Sequence, residues 1–159
     1  MKTINSIIIR GYRESGKSTT IREVCRKLEP TKVCSLHLRK KQIAANEKSI
    51  EDIHNGTHIL EVKGKTILVV AGAPTEQNVT ITRIFEICSE LNIPIDFIIC
   101  AMRSKEIKKS FATVHEIKKI STLIDPFYTC KIDGDDFLKS DKWKEWISKI
   151  YKTINDNLF

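Results

Sequence analysis

The sequence predicts an α/β domain: a mostly parallel sheet of five or six strands, with helices on both faces. Three observations carry that expectation. Apolar runs of strand length alternate with helix-period stripes along the chain. Ile7-Ile8-Ile9 and Ile67-Leu68-Val69-Val70 are apolar at every position, as in strands covered on both sides. Gly11-Tyr12-Arg13-Glu14-Ser15-Gly16-Lys17-Ser18 fills the pattern G-x-x-x-x-G-K-[ST], set between a strand and a helix.

The elements follow in order. The first strand centres on Ile7-Ile8-Ile9. Behind the glycines, Ile21, Val24, Cys25 and Leu28 fall at i, i+3, i+4 and i+7, one face of a helix that stops before Pro30. Lys32–Leu38 reads as a second strand, and Gln42–Ile53 as a polar, helix-tolerant stretch with weak periodicity. Thr57–Val62 and Thr66–Ala71, joined across Lys63-Gly64-Lys65, read as a hairpin. Gly72-Ala73-Pro74 breaks it, and a helix over Gln77–Leu91 buries Ile81, Ile84, Cys88 and Leu91. Ile95–Ala101 is the next strand. Lys105–Ile120 reads as a basic helix with Ile107, Phe111, Val114, Ile117 and Ile120 on one side. Phe127–Ile132 is a last strand, and Asp141–Asn157 a last helix with a stripe of Trp143, Trp146, Ile147, Ile150, Tyr151 and Ile154. Its tryptophans are read as packing residues. No linker, repeat or low-complexity tract interrupts the chain, so residues 1–159 are read as one domain. Right-handed crossovers bring the carboxyl ends of parallel strands to one rim, and ligands bind along such a rim.

The glycine-rich segment carries the chemistry. Gly11 and Gly16 let the backbone curl so that consecutive N–H groups point inward, and the new helix adds its positive end there. The backbone of residues 12–18 is therefore expected to hold phosphate oxygens. Lys17 is expected to reach the outer phosphates, and the Ser18 hydroxyl to ligate a Mg²⁺ bound to them. A chance match in a chain this long is roughly one in two hundred, and the flanking elements lower that further. Arg13 and Arg103 are the candidates for stabilising charge on a transferring phosphoryl group, with Lys17 beside them. Arg103 reads equally as a surface cation. Arg39-Lys40-Lys41 is either solvated charge or a contact for an anionic acceptor. Asp133, Asp135 and Asp136 form an acidic loop near the expected place of the base, or a hydrophilic turn at Gly134. His37, His54, His58 and His115 have no nucleophile or metal-ligand spacing around them, and no chemistry is assigned to them.

These residues together resemble the P-loop NTPase superfamily, which implies its three-layer fold, a bound ATP or GTP, and Mg²⁺. Two branches share the likeness. The element order resembles the nucleoside- and small-molecule kinases. Lys65–Gly72 is similar to their third core strand and Phe97–Cys100 to the next, with Arg103 just past it. Cys130-Lys131-Ile132-Asp133 and the helix after it are similar to the end of many small kinases. Glu14-Ser15-Gly16-Lys17-Ser18-Thr19, by contrast, is similar to the phosphate loop of heterotrimeric G-protein α subunits. A hairpin with a Gly-Lys turn before the central strand is also GTPase-like. In that branch Cys130–Asp133 resembles the N-K-x-D guanine reader, which implies Lys131 along the base and Asp133 on its N–H donors. The chain departs from both patterns. Cys stands where that reader has Asn, and Val69–Pro74 holds no acid where most P-loop enzymes end their central strand with Asp. Glu76 could supply that carboxylate to Mg²⁺ through water, Asp133 could, or turnover is slow.

Composition bounds the function classes. The chain is 41% hydrophobic and 30% charged, ordinary for a globular domain, and no apolar run approaches a membrane span. Its amino end does not read as a secretory signal. Five cysteines without a C-x-x-C pair read as buried thiols in a reducing cytoplasm, not as a metal site. The net charge of +7 would suit a polyanion, but no recognition helix, zinc finger or aromatic stacking motif accompanies it. Solvated lysine-rich helix faces and a phosphate pocket account for it, and nucleic acid is not the expected partner. The leading expectation is a Mg²⁺-dependent, kinase-like P-loop protein that binds a nucleoside triphosphate, ATP ahead of GTP, and hydrolyses it or transfers phosphoryl to a small acceptor. The alternatives are a degenerate GTP-binding switch acting through a protein partner, and a nucleotide-bound scaffold or nucleic-acid-associated protein with little turnover.

Overall fold

A computed structural model describes residues 3–11, 16–44, 46–125, 127–128 and 140–159. The elements are β1 (Asn5–Gly11), α1 (Lys17–Leu28), β2 (Lys32–His37), β3 (Gln42–Ile43), a 3₁₀ turn (Ile50–Asp52), β4 (Thr57–Val62), β5 (Lys65–Val70), α2 (Pro74–Gln77), α3 (Ile81–Glu90), β6 (Phe97–Arg103), α4 (Thr113–Ile120), β7 (Thr122–Leu123), β8 (Phe127–Tyr128) and α5 (Asp141–Leu158).

The strands form one sheet in the order β3-β2-β4-β5-β6-β1-β7, with β8 also pairing β1. Side chains alternate across a strand, so the all-apolar runs divide between two faces. Ile7, Ile9, Ile67, Val69, Phe97 and Ile99 face one way, into a core closed by α1 and α5. Ile8, Leu68, Val70, Ile98 and Cys100 face the other, against α3 and α4. Helices therefore cover both faces, as expected. Ile7, Ile8 and Ile9 are all 0% exposed, and each such side chain stabilises the fold by ~1.5–3 kcal/mol.

The expectation of a mostly parallel sheet is corrected: the sheet is mixed. β5, β6, β1, β7 and β8 form parallel pairs, whereas β4 pairs antiparallel with both β5 and β2, and β3 pairs antiparallel with β2. Eight strands are assigned among the described residues, more than the expected five or six, and three of them have two residues each. The turns account for this. Val62 pairs Lys65 across a two-residue loop in which Lys63 (φ 48) and Gly64 (φ 79) both take positive φ, the geometry that folds a strand back on its neighbour. A connection that short leaves no room for a crossover.

Local departures have local causes. Gln42–Ile53 holds β3 and the 3₁₀ turn, where the Ser49 amide donates to Asp52 Oδ2 at 2.8 Å. The expected helix over Gln77–Leu91 is split at Asn78, which is left-handed at φ 58. α3 restarts behind Thr80, whose hydroxyl accepts from the Arg83 amide at 3.2 Å. The expected helix over Lys105–Ile120 begins only at Thr113, whose amide donates to Glu106 Oε1 at 2.8 Å. Ile107, expected on its buried face, is 92% exposed. In α5, Ile147, Ile150, Ile154 and Leu158 enter the core, and Trp146 meets Phe127 edge to face at 5.5 Å, so the tryptophan packs as expected. Cys25, Cys34, Cys88 and Cys100 are buried free thiols. Burial pushes Cys25 up to about 12 and Cys88 to about 11, and raises Cys100 too. Cys130 and most of the expected strand Phe127–Ile132 lie outside the described residues. Among the described residues no helix is long and apolar enough to cross a membrane.

Candidate functional site

β1, β5 and β6 are parallel, so their carboxyl ends open on one rim of the sheet. There Gly16 (φ 92, ψ 17) turns the chain into α1 in a left-handed conformation that a residue with a Cβ adopts only under strain. Helix geometry leaves the first N–H groups of α1 without intrahelical acceptors, and its dipole makes that end positive. Gly16, Lys17, Ser18 and Thr19 line a cavity of about 810 Å³, with Gly72, Glu76 and Arg103 across from them.

Lys17 is 6% exposed. Its Nζ donates to the Gly11 carbonyl at 3.1 Å and lies 3.9 Å from Glu76 Oε1. Burial pulls its pKa below the ordinary lysine value. The Glu76 carboxylate opposes that shift, and the Arg103 guanidinium adds to it. Arg103, at the last position of β6, donates from Nε to the same Glu76 Oε1 at 3.2 Å. One carboxylate oxygen therefore stands between two cations. Ser18 Oγ donates to the Ala71 carbonyl at 3.3 Å, which joins the start of α1 to the end of β5.

The β5 side of the rim is held tightly. The Gly56 carbonyl accepts from the amides of Ala71 (2.9 Å) and Gly72 (3.0 Å). Gln77 Nε2 donates to the Gly72 carbonyl at 2.5 Å, and Thr57 Oγ1 donates to Gln77 Oε1 at 3.1 Å. A Cβ on Gly72 would lie 2.8 Å from the Gly56 nitrogen, so this crossing admits only glycine without backbone movement.

Of the residues singled out in the sequence, Gly11, Gly16, Lys17, Ser18, Thr19, Glu76 and Arg103 come together here. Tyr12, Arg13, Glu14, Ser15, Lys131 and Asp133 lie outside the described residues. Glu76 is the one carboxylate among the described residues that lines the cavity. Arg39 is not among its lining residues, and Lys41 pairs with Glu90 at 3.8 Å instead. Sequence reasoning missed His54, Asn55 and Gln77, which also line it. Asn55-Gly56 is a turn signal, but only the antiparallel placement of β4 carries that turn to the rim. Comparison with protein-family models, with curated proteins and with solved structures gives no match for this chain.

Proposed function

We propose that this chain is a P-loop-type, Mg²⁺-dependent nucleoside-triphosphate-binding protein, using ATP ahead of GTP, that passes the outermost phosphoryl to water or a small acceptor. The observation that carries the reading is Lys17. Lys17 is 6% exposed and lines the cavity beside the amino end of α1, so a side-chain positive charge and the positive end of a helix converge on one spot, the arrangement a phosphate oxygen suits. The lining side chains Lys17, Arg103 and Glu76 carry two positive charges and one negative, a balance that favours a polyanion. In this reading the first amides of α1 and Lys17 hold the phosphate oxygens, and Arg103 faces the outermost phosphoryl as its charge develops.

The side chains fit a hard cation that arrives on the phosphates. Ser18 and Glu76 offer a hydroxyl and a carboxylate, the oxygen donors Mg²⁺ takes. Among the described residues no group of three or more His, Cys, Asp and Glu could hold a metal alone. Ser18 would hold the ion directly and Glu76 through water; its chemistry is neutralisation of phosphate charge.

A GTP-binding switch is the second reading, and the antiparallel β4–β5 hairpin with its Lys63-Gly64 turn favours it. A thermal-shift panel of ATP, GTP and their diphosphates, each with and without Mg²⁺, tests both. Stabilisation by ATP with Mg²⁺ supports the first, and stabilisation by GTP alone selects the second. In either, Lys17→Ala abolishes the stabilisation and leaves the ligand-free midpoint close to wild type. A variant that still responds to triphosphate would refute the reading.

A further inference from the structure

We infer that His54 accepts the proton of the water that attacks the outermost phosphorus, which makes the His54-Asn55 turn the nucleophile's subsite in this cavity. The inference rests on the triphosphate reading above and adds to it a reaction and a residue.

Strand order supplies the direction. From β1 the sheet continues through β6 and β5 to β4 on one side, and to β7 and β8 on the other. The groups expected to meet the outer phosphates lean to the β5 side: Ser18 Oγ bonds the Ala71 carbonyl at 3.3 Å, and Lys17 Nζ stands 3.9 Å from Glu76. The amino end of β4 lies further along that side, and His54 and Asn55 line the cavity from it. In the triphosphate reading, a polyphosphate whose outer end meets Lys17 and Ser18 would have this turn on the same side of the cavity.

The turn is built to hold its position. Gly56 (φ 85) holds the end of β5 through its carbonyl, and the two backbones approach so closely that a Cβ on Gly72 would lie 2.8 Å from the Gly56 nitrogen. Behind it His58, 3% exposed, holds the Asn55 carbonyl through Nε2 at 3.0 Å. Yet His54 is exposed, and no hydrogen bond or ion pair between described residues engages its imidazole or the Asn55 side-chain amide. Two polar side chains without a structural task, on a clamped turn facing a phosphate-binding cavity, are placed for a reacting group.

The step balances within these groups. The water oxygen bonds to the terminal phosphorus as the bond from that phosphorus to the bridging oxygen breaks. The bridging oxygen leaves with the electron pair on the nucleoside diphosphate. The water proton passes to an imidazole nitrogen of His54, which is exposed and returns it to solvent.

The test compares wild type with His54→Ala by single-turnover hydrolysis of ATP and GTP with Mg²⁺, and by calorimetry with non-hydrolysable analogues of both. Removing the base should slow hydrolysis ~10²–10⁴-fold, with analogue affinity unchanged and partial recovery in added imidazole. Histidine NMR adds a readout independent of turnover. Among the four histidines, the His54 signal, assigned by its loss in the variant, should move with a triphosphate analogue and stay with the diphosphate. Hydrolysis at the wild-type rate, a proportional loss of analogue affinity, or a wild type that binds but never hydrolyses would each overturn the assignment. A wild type that binds no triphosphate at all would instead overturn the function it rests on.

Discussion

Glu76→Gln is the sharpest probe of how the cavity manages charge. The substitution keeps size and an acceptor for Arg103 Nε, but removes the one carboxylate among the described lining residues. Glu76 Oε1 stands 3.9 Å from the Lys17 ammonium. A phosphate oxygen on the far side of that ammonium, one charge-assisted bond of about 2.8 Å away, would lie about 7 Å from the carboxylate. Coulomb's law at 7 Å gives roughly 0.6 kcal/mol of repulsion per phosphate charge in water and roughly 2.4 at an effective dielectric of 20. The Glu76 side chain is 29% exposed, so the value falls between these limits. Without Mg²⁺, the variant should therefore bind triphosphate about 3- to 60-fold more tightly than wild type. With Mg²⁺ the sign reverses. The carboxylate then serves the ion's water shell, and losing such a partner costs ~10–100-fold in metal affinity. Calorimetric titration of both proteins with one triphosphate, in excess Mg²⁺ and in chelator, reads both effects. Affinities that move in the same direction, or not at all, would refute a Glu76 that both repels the phosphates and serves the metal's water shell.

Two further expectations concern the frame around the cavity. Gly72→Ala forces a Cβ to within 2.8 Å of the Gly56 nitrogen, a backbone atom, so it should cost ~1–3 kcal/mol in denaturant unfolding and weaken nucleotide binding with it. An unchanged midpoint would show that the two backbones separate freely. Stability should also depend on pH through His58. Its burial holds its pKa below the ordinary histidine value, against the opposing pull of the Asn55 carbonyl and the Asp52 carboxylate. The folded state therefore prefers the neutral ring. The contribution is complete above about pH 6.5 and is lost as pH falls from there through the folded pKa, at up to ~1.4 kcal/mol per pH unit. Unfolding midpoints at pH 7.5 and pH 5 should separate more for wild type than for His58→Gln. Equal separations would assign the pH dependence to other groups.

Periodicity alone carried most of the element list, because burial on one face leaves its mark at fixed spacing. Ile21, Val24, Cys25 and Leu28 mark the inner face of α1, and Ile147, Ile150 and Ile154 that of α5, whether or not the neighbours are known. The same logic failed at Ile107. An isoleucine at helical spacing from Phe111 and Val114 reads as buried, but Glu106 caps Thr113, and the chain before it never becomes helix. Strand direction was less legible still. Lys63-Gly64 announced a hairpin, yet nothing in Lys32–His37 tells that β2 pairs β4 and not β5.

For the site the division is the same. The sequence by itself singled out the segment Gly11–Ser18 and raised the expectation of a phosphate ligand for it, since the glycines, the ammonium and the hydroxyl that carry that expectation are neighbours along the chain. It also named Glu76 and Arg103 as candidates without joining them. Only tertiary structure decided that both meet Lys17 through one carboxylate oxygen, and that His54 and Asn55 share the cavity. Those residues are dozens of positions apart, and what brings them together is strand order and backbone contact at Gly56 and Gly72, which local sequence does not encode.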